Sequence, residues 1–374
     1  MAFQTPPEVL LRQCLRACNV LKHNRSLLSV SPIKCSARTY KAAVCTKLGH
    51  PMEIRETDFP SSLGASEVLL SVHGNGINFA DILSSKGQYQ MKVEPPFVPG
   101  SEIAGKVVEV GSGVNNVKKG DRVFCILGTS VGGASEYCVA DCQGLIPVPD
   151  NLSLVEAAAT IVNYGTAMMA LNRKAKLKKR ERVLVTAAAG ATGLAITDIA
   201  KNMFDCEVIA VCGGQDKCNF LLEHGAAKAI DYTKESIRDK VKEYTGGQGV
   251  NVVMDQVGGD TLLECIKSMG FEGRAVTIGY ASGKIPSIPA NILLLKSASL
   301  IGVFWGSYSM ANPVAFYESI TQVLQGVGEN KLRPYVGQTF PLDQVNEAYQ
   351  YILDRKSMGK VVIKMKEEDH PAEL

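Results

Sequence analysis

The chain has 374 residues, 46% of them apolar and 21% charged, with a formal net charge of +3. That length holds two domains with cores of their own, and the composition is that of a globular protein. The longest apolar stretches, Leu154–Leu171 and Ile292–Trp305, are broken by Glu156 and Asn163 and by Lys296, so neither reads as a membrane span.

Residues 1–40 carry Arg12, Arg16, Lys22, Arg25, Lys34 and Arg38 against one acid, Glu8, which leaves the rest of the chain near neutral. A near-neutral body does not form a basic footprint for nucleic acid. The first 38 residues bear Arg and Ser, almost no acid, and Val9, Leu10, Leu11, Leu15, Val20 and Leu21 at spacings that share much of one helix face. This pattern predicts a mitochondrial transit peptide and a matrix location, the alternative being a basic tail on a cytoplasmic protein. The eleven cysteines contain no Cys-x-x-Cys and read as small buried hydrophobes in a reducing compartment.

After Thr39, short strand-like runs such as Glu67–Val72, Ile103–Val110 and Arg122–Leu127 are separated by Pro95-Pro96, Pro99-Gly100 and Lys119-Gly120. They predict a compact, mostly β, barrel-like domain. From about Leu152 the texture turns helical and alanine-rich. A regular alternation follows: strands at 182–187, 207–211, 227–231, 251–255, 274–279 and 300–304, with helices between them. Strands alternating with helices predict an α/β domain, a doubly wound parallel sheet of six strands with a ligand at the switch point. An amphipathic helix at 315–327 and a last strand at 360–365 are expected to return to the first domain.

The loop after the first strand of the alternation reads Ala187-Ala188-Ala189-Gly190-Ala191-Thr192-Gly193. Gly190 lets the backbone approach a pyrophosphate, Gly193 lets the helix pack on the strand, and free amides at the helix start favour phosphate charge. The motif alone is partial, but its place between a buried strand and a helix predicts a dinucleotide site through Ala189, Gly190, Ala191, Thr192 and Gly193. An NAD site offers an acid about 20 residues further on. Here the place holds Cys212, followed by Gly213, Gly214, Gln215, Asp216 and Lys217. The missing acid and the nearby Lys217 favour NADP(H). Asp216 is the rival, as a partner for a ribose hydroxyl.

With Gly76-Ile-Asn-Phe-Ala-Asp81, Pro99-Gly-Ser-Glu-Ile-Ala-Gly105, Val107–Gly113, Gly120-Asp-Arg-Val123, Asn163-Tyr-Gly-Thr-Ala167 and Met358-Gly-Lys-Val-Val362 in this order, the sequence resembles the quinone oxidoreductase (zeta-crystallin) branch of the medium-chain dehydrogenase/reductase superfamily. The match covers residues 40–366. It implies a GroES-like catalytic domain and a Rossmann domain of strand order 3-2-1-4-5-6. It also implies a homodimer formed through the cofactor domains. The expected segments are 39–162 and 305–366 for the catalytic domain, 163–304 for the cofactor domain, and 367–374 as a tail.

In zinc dehydrogenases of the superfamily, a Cys and a His ligand stand where this chain has Asn78 and Ser101. The structural-zinc lobe of four cysteines is missing too, and the five histidines are dispersed, so no metal is expected. The loop departs from the family at Ala191 and the following helix at Asp198, which puts the pyrophosphate contacts in question. By family position Asn78, Asp81 and Tyr89 line the reacting cleft. Thr166, Tyr232, Val303, Phe304 and Lys360 join Gly213 and Lys217 around the cofactor. Read without the family, Asn78 is a turn residue, Asp81 a helix cap, Tyr89 a packed aromatic and Lys360 a solvated lysine.

The expected reaction is reduction of a quinone or another conjugated carbonyl compound, the proton coming from solvent or Tyr89. An acceptor that spreads its own negative charge does not need a Lewis acid, whereas an alcohol losing hydride does. A 2-enoyl reductase acting on enoyl-CoA or alkenals is the alternative within enzymes. A low-turnover NADPH-binding protein with some RNA affinity is the alternative outside them.

Overall fold

Short apolar runs, each stopped by glycine or proline, become the strands of the first body. A computed structural model describes residues 38–127 and 132–367. The basic leader expected at 1–38 lies outside these residues but for Arg38, as does the tail beyond Glu367. Strands β1 (Thr39–Val44) and β2 (Glu53–Asp58) form an antiparallel pair. Strand β3 (Glu67–Gly76) is central. It pairs with β4 (Glu102–Val110) along most of its length, and β4 in turn with β5 (Arg122–Ile126). The first half of β3 also takes β6 (Tyr137–Asp141), and β5 takes β7 (Leu145–Pro147).

Two register breaks between β3 and β4, at Leu69/Leu70 and Val72/Gly74, bend the pair. Gly105 permits the close crossing, since a Cβ there would lie 2.1 Å from the Ser71 carbonyl oxygen. Val68, Leu70, Val72, Ile103, Val107 and Val123 then close on one apolar core.

The second body is built on β8 (Arg182–Val185), β9 (Glu207–Cys212), β10 (Lys228–Asp231), β11 (Val250–Asp255), β12 (Met269–Thr277) and β13 (Ser299–Gly302). They form one six-stranded parallel sheet in the order β10-β9-β8-β11-β12-β13, which is 3-2-1-4-5-6. Alternate residues face opposite cores. Val183, Val185, Val208 and Val252 pack with the helices Ile161–Met168, Ala191–Asn202 and Pro313–Gly328. Leu184, Ile209, Val211 and Val253 pack with Ile237–Tyr244 and Gly259–Lys267. Burial of both faces explains the continuous apolar strands read in the sequence.

The chain then returns. Strand β14 (Val336–Phe340) pairs with β15 (Lys360–Lys364), and β15 adds to the end of β3. Just before β15, Gly359 donates its amide to the Ala189 carbonyl at 2.8 Å and bridges Gly190. Its φ of +83°, and a Tyr335 ring carbon 2.5 Å from where a Cβ would sit, restrict this position to glycine. The return segment is thereby stitched to the glycine loop. No helix among the described residues is long and apolar enough to cross a membrane, and all eight described cysteines are buried thiols. The helices Ala290–Lys296 and Val345–Leu353 were not foreseen, and β12 begins five residues earlier than expected.

Candidate active site

Strand order reverses between β8 and β11, and a crevice opens at their carboxyl ends. Ala187, at a φ of +47°, turns the chain out of β8, and Gly190 closes the turn by donating to the Ala187 carbonyl at 3.0 Å. The helix starts at Ala191, and Leu194 makes its first backbone bond, to Gly190 at 2.9 Å. The amides of Ala191, Thr192 and Gly193 therefore precede the helical ladder and have no partner within it. Gly193 is packed tightly. A Cβ there would lie 2.5 Å from the Ala187 carbonyl oxygen and 2.6 Å from the Ala188 Cα. At Gly190 the nearest atom would be 3.3 Å away.

Two connected cavities lie along this crevice. One of about 260 Å³ runs past Gly190, Ala191, Thr192, Gln256 and Gly359. The other, of about 430 Å³, is walled by Asp81, Tyr89, Phe97, Ser101, Val162, Thr166, Val303, Phe304, Trp305 and Met310, among others. Asn78, Phe79, Asn163, Thr192 and Ile278 belong to both and mark the junction. Among the described residues the larger cavity is mostly apolar, and no lysine or arginine lines it. Its ionisable groups are Asp81 and Tyr89.

Asp81 caps the helix Phe79–Ser85, its Oδ2 accepting the Asn78 amide at 2.8 Å. The Ser101 hydroxyl also donates to this carboxyl. Burial outweighs both bonds and the nearby Lys360 charge, and pushes the Asp81 carboxyl up to about 6. Burial, with the Asp81 carboxyl next in weight, likewise raises the Tyr89 phenol.

Behind the junction sits an ion pair. The Lys360 ammonium, 1% exposed, donates to Glu102 Oε2 at 2.8 Å, Asn78 Oδ1 at 2.7 Å and Asn163 Oδ1 at 2.6 Å. Glu102 also accepts from the Val162 amide at 2.8 Å and from Asn78 Nδ2 at 3.0 Å. Lys360, expected near a cofactor, does not line either cavity, and its three hydrogens are taken by these oxygens. Asn78 Nδ2 is likewise committed, to Glu102 and to the Gly76 carbonyl at 3.3 Å. What Asn78 offers the cleft is the remaining lone pair of Oδ1, an acceptor.

The other expected residues fall in three places. Gly190, Ala191, Thr192, Thr166, Val303 and Phe304 line the cavities. Ala189 and Gly193 lie beneath the loop, Ala189 holding Gly359. Gly213, Lys217 and Tyr232 gather at the ends of β9 and β10. There a Cβ on Gly213 would come within 3.0 Å of the Tyr232 hydroxyl. The Lys217 ammonium donates to the Arg355 carbonyl, and the Arg355 charge acts on it. Cys212 turns its thiol inward, 3.3 Å from that of Cys218. Asp231 is occupied at Oδ1 by the Gly214 amide at 2.8 Å and by Thr233. Its Oδ2 has no hydrogen-bond partner, so this end sets Lys217 and Arg355 against Asp231 and the exposed Asp216.

Two family models match the chain, the "Alcohol dehydrogenase GroES-like domain" over residues 64–150 and the "Zinc-binding dehydrogenase" over residues 191–321. "Quinone oxidoreductase-like protein 2 homolog" of Nematostella vectensis is 46% identical over 98% of this chain and 100% of its own length. "Quinone oxidoreductase-like protein 2" of Bos taurus is 45% identical over 88% of this chain and 93% of its own length. The chain belongs to the quinone oxidoreductase branch of the medium-chain dehydrogenase/reductase superfamily. The Escherichia coli quinone oxidoreductase, solved in complex with NADPH, superposes with a TM-score of 0.78 at 27% identity, covering 87% of this chain and 99% of that one.

Asn78 and Ser101 bring a neutral amide and a hydroxyl to the cleft, both poor zinc donors. No three His, Cys, Asp or Glu side chains converge among the described residues. Sequence reasoning missed Glu102, Asn163 and Arg355. Glu102 and Asn163 stand inside the quoted motifs, and a charged residue within the apolar strand Glu102–Val110 is the signal that was available. Arg355 carries no local signal, since it reaches Lys217 across 138 residues.

Proposed function

We propose that this chain is an NADPH-dependent oxidoreductase that reduces quinones and other conjugated carbonyl compounds without zinc, as a homodimer in the mitochondrial matrix. The observation that carries the reading is the cleft: a narrow channel past the glycine loop opens into a larger apolar cavity with no cation in its described wall. A neutral, flat acceptor suits such a cavity. A CoA thioester would leave its phosphates without a counter-charge there, which weighs against the 2-enoyl alternative.

The residues present fit a phosphorylated dinucleotide. The amides after Gly190 suit a pyrophosphate, and Gly213 lets the Tyr232 ring lie close against the backbone at the end of β9. Lys217 and Arg355 supply charge for a 2′-phosphate. When bound, the reduced nicotinamide supplies the hydride. The chain's own contribution is position and proton supply. Thr166, Val303 and Phe304 shape the nicotinamide end, and the apolar wall orders the acceptor and excludes water. In its acid form Asp81 donates to the Ser101 oxygen, which frees the Ser101 hydroxyl hydrogen to pass to the acceptor oxygen as charge builds there, with Tyr89 at the same wall. Water at the cleft mouth returns a proton to Asp81.

Support for the dimer is an apolar edge. The helix Ala290–Lys296 buries none of its residues, Leu294 and Leu295 are each 78% exposed, and β13 pairs only with β12 among the described residues. Support for the matrix is the basic, acid-poor leader.

Steady-state oxidation of NADPH with 9,10-phenanthrenequinone and with crotonyl-CoA tests the reading. Turnover with the quinone is expected; turnover only with the thioester contradicts it. Import into isolated mitochondria tests the location, an uncleaved cytosolic product being the contrary result.

A further inference from the structure

A lysine ammonium has three hydrogens and no acceptor. A carboxamide that faces it must therefore present its oxygen. Because Lys360 Nζ lies 2.7 Å from one carboxamide atom of Asn78 and 2.6 Å from one of Asn163, both amides are forced to turn their oxygens inward. The Asn163 amino group then points the other way, and donates to Thr192 Oγ1 at 2.8 Å. This takes up a lone pair of the Thr192 hydroxyl and leaves its own hydrogen uncommitted. Thr192 is half-buried, is the second residue of the helix after Gly190, and lines both cavities at their junction.

Burying the lysine is sustained by Glu102, whose two oxygens accept from Lys360, Asn78 and the Val162 amide. Gly76 makes room for the lysine stem, since a Cβ there would lie 2.7 Å from Lys360 Cε and 2.0 Å from the Ala158 carbonyl oxygen. The cluster joins β3 and β4 to β15 and to the starts of two helices of the second body, Ile161–Met168 and Ala191–Asn202. It is neutral as a whole. Its polarity is still directional: ammonium to amide oxygen, amide nitrogen to hydroxyl, hydroxyl hydrogen to the cleft.

From this geometry we infer that Lys360, paired with Glu102, is a positioning residue. It fixes Asn163 so that Thr192 presents its hydroxyl hydrogen to an anionic oxygen of the bound dinucleotide. The inference rests on the proposed NADPH site and adds to it a group that never touches the ligand. Its consequence is energetic coupling between a buried ion pair and a surface hydroxyl.

The test is a double-mutant cycle read by fluorescence titration with NADPH, on full-length protein, with thermal unfolding recorded alongside. Lys360→Met alone would leave Glu102 charged and unpaired in the interior, so it is combined with Glu102→Gln, which removes both charges. Thr192→Val removes the hydroxyl. Each is expected to raise the NADPH Kd about tenfold, the effect of one charge-assisted hydrogen bond. The triple variant is expected to bind about as weakly as Thr192→Val alone, because both changes break one relay. Asn163→Ala interrupts the relay with both charges of the ion pair kept, though Lys360 loses one of its three acceptors; it is the control should the double variant fold poorly, and is expected to show the same non-additivity. Wild-type affinity in the Lys360→Met/Glu102→Gln variant, or effects that multiply in the triple, would overturn the inference alone. A wild-type chain that does not bind NADPH would overturn the reductase reading, and this inference with it.

Discussion

Asp81 is the titrating group of the cleft, and its environment has two consequences. Its folded-state value, about 6, lies above the ordinary carboxyl value. The carboxylic acid form is thus lost as pH rises through about 6, and with it the proton available to Ser101. The expected profile is a kcat/KM for quinone that falls above about pH 6, with that limb absent in Asp81→Asn. The groups facing Asp81 are Ser101, Lys360, Glu102, Tyr89 and the buried Tyr349. The same shift makes stability fall between the unfolded and folded values as pH rises, by on the order of 3 kcal/mol. Asp81→Asn should therefore raise the melting midpoint more at pH 8 than at pH 5, and equal midpoint changes would contradict this. At the far end of the channel, Lys217→Ala and Arg355→Ala should each weaken NADPH binding about tenfold and leave NADH binding nearly unchanged, by fluorescence titration. Lys217 was legible because it follows the second strand directly. Arg355 was not, because contacts made by tertiary return leave no local pattern. Lys360 was legible as a motif member, but composition says that lysines are solvated, and only the packing shows this one bound to Glu102 and two asparagines.

At the scale of elements, the parallel sheet was the most legible feature, because continuous apolar strands such as Arg182–Val185 and Val250–Asp255 alternate with helices. The helix Ala290–Lys296 was less legible: Ile292 and Leu293 pack, partly buried, against the core while Leu294 and Leu295 stay exposed, so its apolar run is continuous rather than periodic. The glycine loop divides by function. Gly193 packs helix on strand, so Gly193→Ala should lower stability by about 1–3 kcal/mol in chemical denaturation. Gly190 is less crowded, a Cβ there meeting only the Ala187 carbonyl oxygen at 3.3 Å, and it faces the channel, so Gly190→Ala should cost less stability than Gly193→Ala while weakening NADPH binding. Equal stability losses in the two would refute that division. The family departure at Ala191 costs nothing visible, since it is the first helical residue, where alanine is favoured. Asp198 is a pin rather than a cofactor contact. It accepts from the Tyr164 hydroxyl at 2.7 Å and from the Arg333 amide at 3.0 Å, joining the helix to its neighbour and to the returning chain.

The whole molecule places its reactive cleft where two bodies meet, and the return of the chain through Gly359 holds them together. Its exposed apolar edge is expected to be covered by a second copy. Leu294→Glu/Leu295→Glu should convert a dimer to a monomer in light scattering, with NADPH binding retained; an unchanged mass would remove this edge as the interface. Two-body architecture and the approximate site could be read from order and spacing of the motifs. The division of polar residues into those that face the ligand and those that stand behind it required the three-dimensional packing. The central claim, zinc-independent reduction of a quinone by NADPH, is tested most directly in a single turnover. Protein dialysed against a chelator is loaded with one equivalent of NADPH and mixed rapidly with 9,10-phenanthrenequinone. The account predicts stoichiometric loss of reduced-nicotinamide absorbance, at a rate unaffected by chelation and well above the protein-free rate. No acceleration over free NADPH, or loss of activity that zinc restores, would contradict it.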